Sequence, residues 1–363
     1  MNLKNDNDKY KYLKVQEYIK NYIKKNSLRY GDQLPTESEI ADVLDIHTNT
    51  VKYGLNNLSQ EGLIYRERGR GTFVGRDMMK QEVHTIGLII ESVTHQSLMS
   101  SLIVKGVEEV VSKQDVSYLM GNSDNQYNKI VKLINQFEKR EVSGIILMPL
   151  HHNFYKNYQI IELLNEHKIP FVFVDDYISG ADIPYVTSDN EHGGFMITKH
   201  LIDLGHKDIA FIFESDCSTL EARFTGYRLA LVNANITPSE DLIIRTNRRL
   251  EEAGERGMNI LLERDIGFTA IVCSNDSVAA GAYKVLSERG LKVPDDISLV
   301  GYDGFHSINE IPISMTTILQ NPLAMGKSAA RLLLDMVRNQ GEHRNIIIKN
   351  ELVIGQSTKR LNR

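Results

Sequence analysis

The sequence predicts an α/β protein of two parts: an N-terminal winged helix-turn-helix, followed by a two-lobed body of doubly wound parallel sheets. Three observations predict it. The opening stretch carries helical periodicities that give way to a short hairpin pattern. The remainder, roughly 280 residues, alternates strand-like and helical runs, more than one such lobe usually holds. Finally, at 363 residues the chain exceeds the usual size of a single core. The expected organisation is a winged-helix head over residues 1–75, a connection over 76–84 and a body over 85–363.

Composition narrows the class. A hydrophobic content of 42% and a charged content of 25% suit a folded, soluble protein rather than a disordered or collagenous one. No apolar run reaches the ~18 residues needed to cross a bilayer, and the start, MNLKNDNDKYKYLK, lacks the apolar middle of a secretion signal. The expected location is therefore the cytoplasm, with no membrane partner. Cys217 and Cys273 lie far apart without metal-ligand spacing, so they are expected to be small buried thiols. Residues 1–76 carry 13 Lys and Arg against 10 Asp and Glu, a net +3, so the remainder carries −8 of the total −5. A basic head on an acidic body suits a protein that presents one end to a polyanion.

In the head, Val15, Tyr18, Ile19, Tyr22 and Ile23 recur at spacings of three and four and define one face of a first helix. Gly31 and Pro35 then break the chain, and Thr36 with Glu39 make a capping box that opens a second helix burying Ile40, Val43 and Leu44. After a turn at Asp45 and Ile46, a third helix turns Val51, Leu55 and Leu58 inward and leaves His47, Thr48, Asn49, Lys52 and Tyr53 outward. Such a pair places the later helix in the DNA major groove. Beyond Gly62, LIYRERGRGTFVG reads as a two-stranded wing, with Arg66, Arg68 and Arg70 about its tip, where cations can reach phosphates or a narrow minor groove.

The string from Tyr12 to Val74, with GDQLPTESEIA, TVK and LSQEGLIYRERGRGTFV in order, resembles the GntR-type winged-helix regulators. The resemblance implies DNA reading by Glu37, Ser38, Thr48, Thr50, Lys52, Arg68 and Gly69, with Arg70 beside them at the tip. The family commonly has Ser-Arg where this chain has His47-Thr48, and Arg where it has Lys52. Neither Thr nor Lys reproduces the two-pronged contact of Arg with guanine, so a different operator is expected. Asn49 becomes either a reader of adenine or a solvated helix residue.

In the body, TIGLII, VSYLM, GIILM, PFVFV, IAFIF, FTAIVC and ISLVGYD read as strands separated by helical runs, including one from Leu250 to Glu263. Ligands of such sheets sit at the carboxyl ends of the strands. Polar residues found there are Asn122–Asn125, Asp175-Asp176, Ser188–Asn190, Arg223, Ser274–Asp276 and Asp303; several also suit helix N-caps. A guanidinium among carboxylates and amides matches a polyhydroxylated ring, whose hydroxyls both donate and accept.

This region is similar to the LacI/GalR-type effector modules and, beyond them, to the periplasmic sugar-binding proteins. The likeness rests on GIILMP, IPFVFVD, TSDNEHGGFMITKHLIDLGHKDIAFI, RFTGYRLAL, CSNDSVAAGAYKVLSERGLKVPDDISLVGYD and TTILQNPLAMGKSAARLLL. It implies sugar contacts by Arg223, Asn275, Asp276, Asp303 and Gln320, with Asp189 a further candidate. The loop ESVTHQSLMSS lacks the aromatic the family often carries after its first strand, which puts a ring-stacking contact there in question. A GntR-type head on such a body resembles the arabinose repressors of Gram-positive bacteria. The resemblance implies double-stranded operator DNA as one partner and L-arabinose as effector, with no cofactor; another pentose, a hexose or a nucleoside is the alternative. A single winged helix contacts too little DNA for genomic specificity, so a homodimer on paired half-sites is expected. An enzyme is disfavoured: there is no G-x-G-x-x-G, P-loop or G-x-S-x-G, and His151-His152 lacks the spacing of a helical metal pair.

Overall fold

The structure, a computed structural model, describes residues 6–26, 28–75, 85–92, 98–151, 153–214, 217–247, 250–264, 266–304, 311–338 and 344–361. The expected connection, 76–84, lies outside the described residues, as does the middle of the ESVTHQSLMSS loop. The chain divides into a smaller compact unit, residues 1–83 with 335–341, and a larger one, residues 84–334 with 342–363.

The smaller unit holds α1 (Asp6–Lys25), α2 (Glu37–Leu44), α3 (Thr48–Gln60) and a hairpin of β1 (Ile64–Glu67) and β2 (Gly71–Val74). Its core is Val15, Ile19, Ile40, Val51, Leu55, Leu58, Ile64 and Val74, each almost fully removed from solvent. The capping box at Thr36 forms as the spacing predicts, and the Thr36 amide and hydroxyl hold the Glu39 carboxyl below its usual range. Val43 departs from expectation, at 63% exposure. The buried stripe of α2 runs through Ile40, Ala41 and Leu44, and Val43 lies roughly 100° round the helix from its centre. Strands β1 and β2 pair antiparallel from Ile64↔Val74 to Glu67↔Gly71, leaving Arg68, Gly69 and Arg70 as a three-residue tip; Gly69 takes φ +77, which glycine adopts at no steric cost.

The larger unit has two lobes. The first is a six-stranded parallel sheet in the order β13-β7-β6-β5-β3-β4. These are β3 (Thr85–Ile90), β4 (Ser117–Asn122), β5 (Ile145–Leu147), β6 (Phe171–Asp175), β7 (Tyr185–Ser188) and β13 (Ile346–Ile348), with α4 (Leu98–Val111), α5 (Tyr127–Glu138) and α6 (Phe154–Glu166) between the earlier ones. The second lobe is a four-stranded parallel sheet, ordered β11-β10-β8-β9, of β8 (Ile209–Glu214), β9 (Ile243–Thr246), β10 (Ala270–Cys273) and β11 (Ser298–Val300). Helices α7 (Asn190–Asp203), α8 (Ser218–Asn233), α9 (Leu250–Glu263) and α10 (Asp276–Glu288) cover it. Both sheets carry buried apolar residues on two faces, as parallel strands flanked by helices require.

The chain passes between the lobes at three places. It leaves β7 for α7 at Ser188–Asn190 and leaves β12 (Thr317–Leu319) for α11 (Pro322–Val337) at Gln320-Asn321. It leaves β13 for β14 (Glu351–Val353), which pairs antiparallel with β12, at Lys349-Asn350. Strict parallel alternation thus gives way at the C-terminal end. Strands β9, β13 and β14 carry no sequence signal beyond three or four apolar or mixed residues.

Helices α7 and α8 meet at glycines: a Cβ on Gly226 would stand 2.0 Å from the Glu191 carbonyl oxygen, and one on Gly194 would stand 2.1 Å from that of Arg223. The backbones touch because no side chain intervenes. Gly226→Ala is expected to destabilise the body by about 1–3 kcal/mol or more, read as a lower urea midpoint at unchanged m value. An unchanged midpoint would refute the close packing.

Candidate functional site

Helices α7 and α8 pack side by side against the second sheet, and Arg223, on α8, is only 6% exposed. A guanidinium so placed needs partners for its donors. Nε donates to Asn190 Oδ1 at 2.8 Å, and Nη1 to the Ser274 carbonyl at 2.7 Å and to Asp303 Oδ1 at 3.1 Å. Its flat face lies 3.7 Å from the centre of the Tyr302 ring.

Asp303 has φ +106, a conformation rare outside glycine, held between the Ile318 carbonyl (2.8 Å) and the Gln320 amide (3.3 Å). Gln320 Nε2 donates to Asp303 Oδ1 at 2.6 Å, while Gln320 Oε1 accepts from Ser188 Oγ at 2.5 Å. Asn350 Nδ2 donates to the Asp189 carbonyl at 3.0 Å and to the Tyr302 hydroxyl at 2.8 Å. One polar network therefore joins Arg223 to all three crossing segments. Ser274 Oγ and Asn350 Oδ1, at its border, are buried with no hydrogen-bond partner among the described residues.

Of the residues expected at the site, Arg223, Asp303 and Gln320 come together directly. Asn275 adjoins them, but its Oδ1 caps α10 by accepting from the Val278 amide at 2.8 Å. Asp276 turns into its own lobe, where its carboxylate accepts from Thr317 Oγ1 at 2.7 Å and its amide donates to the Tyr302 carbonyl. Asp189 caps α7 through the His192 amide at 3.2 Å. Ser188 and Asn190, expected among the polar residues at the end of a strand though not among the sugar contacts, join the network where β7 meets α7; Tyr302, which was not singled out, joins it from the position before Asp303.

The opposite lobe contributes Asp175, whose carboxyl is pushed up to about 6 by burial, against the opposing charges of His151 and Arg223. Burial likewise pushes Asp303 up to about 7, with Arg223 opposing. The lobes touch: Asp176 Oδ1 accepts from the Thr219 amide at 3.3 Å, Asp176 Oδ2 from Cys217 Sγ at 3.3 Å, and Ser218 Oγ from the Ser179 amide at 3.4 Å. Beside them a cavity of about 380 Å³ opens beyond the ends of β4 and β5, lined by Asn125, Gln126, Tyr127, Leu150, His151 and Lys156 among others.

On the head, Ser38, Thr48, Asn49, Lys52, Arg68, Gly69 and Arg70 are exposed, and Thr50 and Glu37 are half-buried. His47 caps α3, its Nδ1 accepting from the Asn49 amide at 3.4 Å. Arg66 is not a loose tip cation, for it pairs with Glu37 and donates to Asn56 Oδ1 at 2.9 Å. Glu37 is thus the anchor of the wing against α2. Arg70 pairs with Glu67 at 2.5 Å.

Residues 11–74 match the bacterial regulatory proteins of the gntR family, and residues 198–358 match a periplasmic binding protein-like domain. Along almost its whole length the chain is similar to the arabinose metabolism transcriptional repressor of Geobacillus stearothermophilus, 30% identical over 97% of this chain and 98% of that protein. The chain belongs to this family of transcriptional repressors. The repressor's fold is also similar to two solved structures. One is the transcription regulator CcpA of Lactococcus lactis (28% identity, 77% of this chain, all of that one, TM-score 0.69). The other is a LacI family regulator from Enterococcus faecium with bound ribose (27% identity, 77% of this chain, all of that one, TM-score 0.64). No helix among the described residues is long and apolar enough to cross a membrane.

The raised carboxyls bind a proton more tightly in the folded repressor than in the unfolded chain, where an aspartic acid titrates near ~3.9. Folding stability from Asp303 is therefore present in acid and lost as pH rises through about 7, and that from Asp175 as it rises through about 6. Urea unfolding of the sugar-free repressor at pH 5 and pH 8 should show this fall, and Asp303→Asn should flatten it. Equal slopes in the two proteins would refute the assignment.

Proposed function

We propose that the repressor holds double-stranded operator DNA through its winged-helix head and lets go when a small sugar, L-arabinose, binds between the two lobes of its body. One observation carries the reading: the Arg223–Asp303–Gln320 network, buried where the chain crosses between lobes. It presents a carboxylate acceptor, guanidinium donors and an amide side by side, the set that a ring of hydroxyls satisfies. The same network is bonded to the crossing segments, so a guest that alters it biases how the lobes sit. The likeness to the Geobacillus repressor favours arabinose, and the Enterococcus regulator holds another pentose, ribose, on a similar fold; a hexose or a nucleoside is the alternative. Such a site binds rather than transforms its guest, and a non-enzymatic role in the cytoplasm fits both relatives and geometry.

On DNA, the start of α3, with Thr48, Asn49, Thr50 and Lys52, enters the major groove, while Glu37 and Ser38 open α2 beside it and Arg68, Gly69 and Arg70 reach the backbone or minor groove from the wing. A homodimer presents two such heads to paired half-sites. The effector loosens this grip only by its differential affinity for the two body states, typically about 1–3 kcal/mol.

L-Arabinose is expected to raise the melting temperature of the repressor and to release a labelled operator fragment in a gel-shift titration. Arg223→Ala should lose both responses while still binding the fragment. Loss of DNA binding in that variant would make Arg223 a residue of the fold alone, and release by no sugar tested would sink the effector reading. Lys52→Ala should weaken operator binding without touching the sugar response; an unaltered operator affinity removes Lys52 from the reading surface.

A further inference from the structure

Beside the Arg223 network, the two lobes bring together a second set of polar side chains. His151 follows β5, Asp176 follows β6, and Cys217 precedes α8. An imidazole nitrogen, a carboxylate oxygen and Sγ of these three all lie within 4.8 Å of one another. Cys217 Sγ and Asp176 Oδ2 are already 3.3 Å apart. A tetrahedral cation with ligand bonds of about 2.0–2.3 Å needs ligand-to-ligand edges of about 3.5 Å. One edge of such a site is therefore formed, and the remaining ligand atom lies within 4.8 Å of both.

The surroundings are those of a metal site. Asp176 is 4% exposed and Cys217 3%. The Tyr177 and Thr219 amides hold Asp176 Oδ1, at 2.8 Å and 3.3 Å, which orients Oδ2 toward the sulfur. Glu91 Oε2 lies 3.4 Å from His151 Nε2, the place of an outer carboxylate that orients a ligating imidazole. Nitrogen, oxygen and sulfur donors in one small site suit Zn2+ better than Mg2+ or Ca2+, which take oxygen.

We propose that His151, Asp176 and Cys217 form a Zn2+ site that bridges the two lobes. Two ligands come from the six-stranded lobe and one from the four-stranded lobe, so the complete set exists only while the lobes are in contact. An ion bound there favours the closed body by its differential affinity for it, independently of Arg223. Binding of the ion requires His151 and Cys217 each to give up a proton to solvent, so uptake of Zn2+ releases protons.

The test uses the full-length repressor, stripped of metal by a chelator and free of sugar and DNA. Calorimetric titration should show one Zn2+ per chain. Titration with Co2+ should show a sulfur-to-cobalt charge-transfer band. Cys217→Ser should abolish that band and weaken Zn2+ binding on the order of 100-fold, His151→Ala should weaken it comparably, and Cys273→Ala should bind as the parent does. Circular dichroism checks that each variant is folded. The proposal is overturned if the parent takes up no stoichiometric Zn2+, or if both ligand variants bind it undiminished, in which case the cluster is only a hydrogen-bonded seam between lobes. Because the readout is metal alone, its failure leaves the sugar-response reading standing, and a repressor blind to sugar could still bind Zn2+.

Discussion

The body is organised around one buried guanidinium. Arg223 sits in a place where an unpaired charge would cost several kcal/mol, so each of its neighbours is constrained to answer it. Asn190 supplies an amide oxygen from α7, Ser274 a carbonyl from the end of β10, Asp303 a carboxylate beyond β11, and Tyr302 a ring face. Asp303 reaches it from φ +106, a strained conformation maintained by two backbone hydrogen bonds, and Gln320 and Ser188 then align on Asp303. Strain and burial of this kind are characteristic of sites whose task is recognition rather than stability.

The same constraint couples recognition to shape. The three segments that cross between lobes are bonded to one another: the Asp189 amide donates to the Ile348 carbonyl, Asn350 to the Asp189 carbonyl, and Ser188 to Gln320. A ligand that replaces any partner of Arg223 or Asp303 must also redistribute the bonds that define the crossing. Under the proposed function, occupancy of the site therefore biases how the lobes sit, which is what a small effector needs in order to be felt at a distance.

Much of this was legible in the residues. The order of elements in the head follows from periodicity, the capping box at Thr36 and the glycine at the wing tip; Val43 was misplaced because an eight-residue helix offers too few turns to define its buried stripe. In the body, the long strands such as Phe171–Asp175 and Ile209–Glu214 declare themselves by continuous apolar runs, whereas β9, β13 and β14 do not. Those short strands exist because a neighbouring strand supplies their hydrogen bonds. For the site, the rule that ligands gather after strands picked out Asp303, while Arg223, expected by the same rule, sits inside α8 rather than just after a strand; the rule could not separate Asp276 and Asp189, whose carboxylates are taken up by Thr317 and a helix cap, from the residues of the network. Cys217, whose partner Asp176 lies 41 residues away, carried no signal at all.

The sequence by itself determined the helices and the long strands, the charge split between a basic head and an acidic body, and the chemistry available after those strands, because all of these are properties of local spacing and composition. Only the tertiary structure decided which of those polar groups face one another: the backbone contact of α7 with α8, the conformation of Asp303 and the meeting of His151, Asp176 and Cys217 across the lobes. Those pairings arise from packing between segments far apart in the chain, where hydrogen-bond satisfaction in a buried setting, rather than any local pattern, selects the partner.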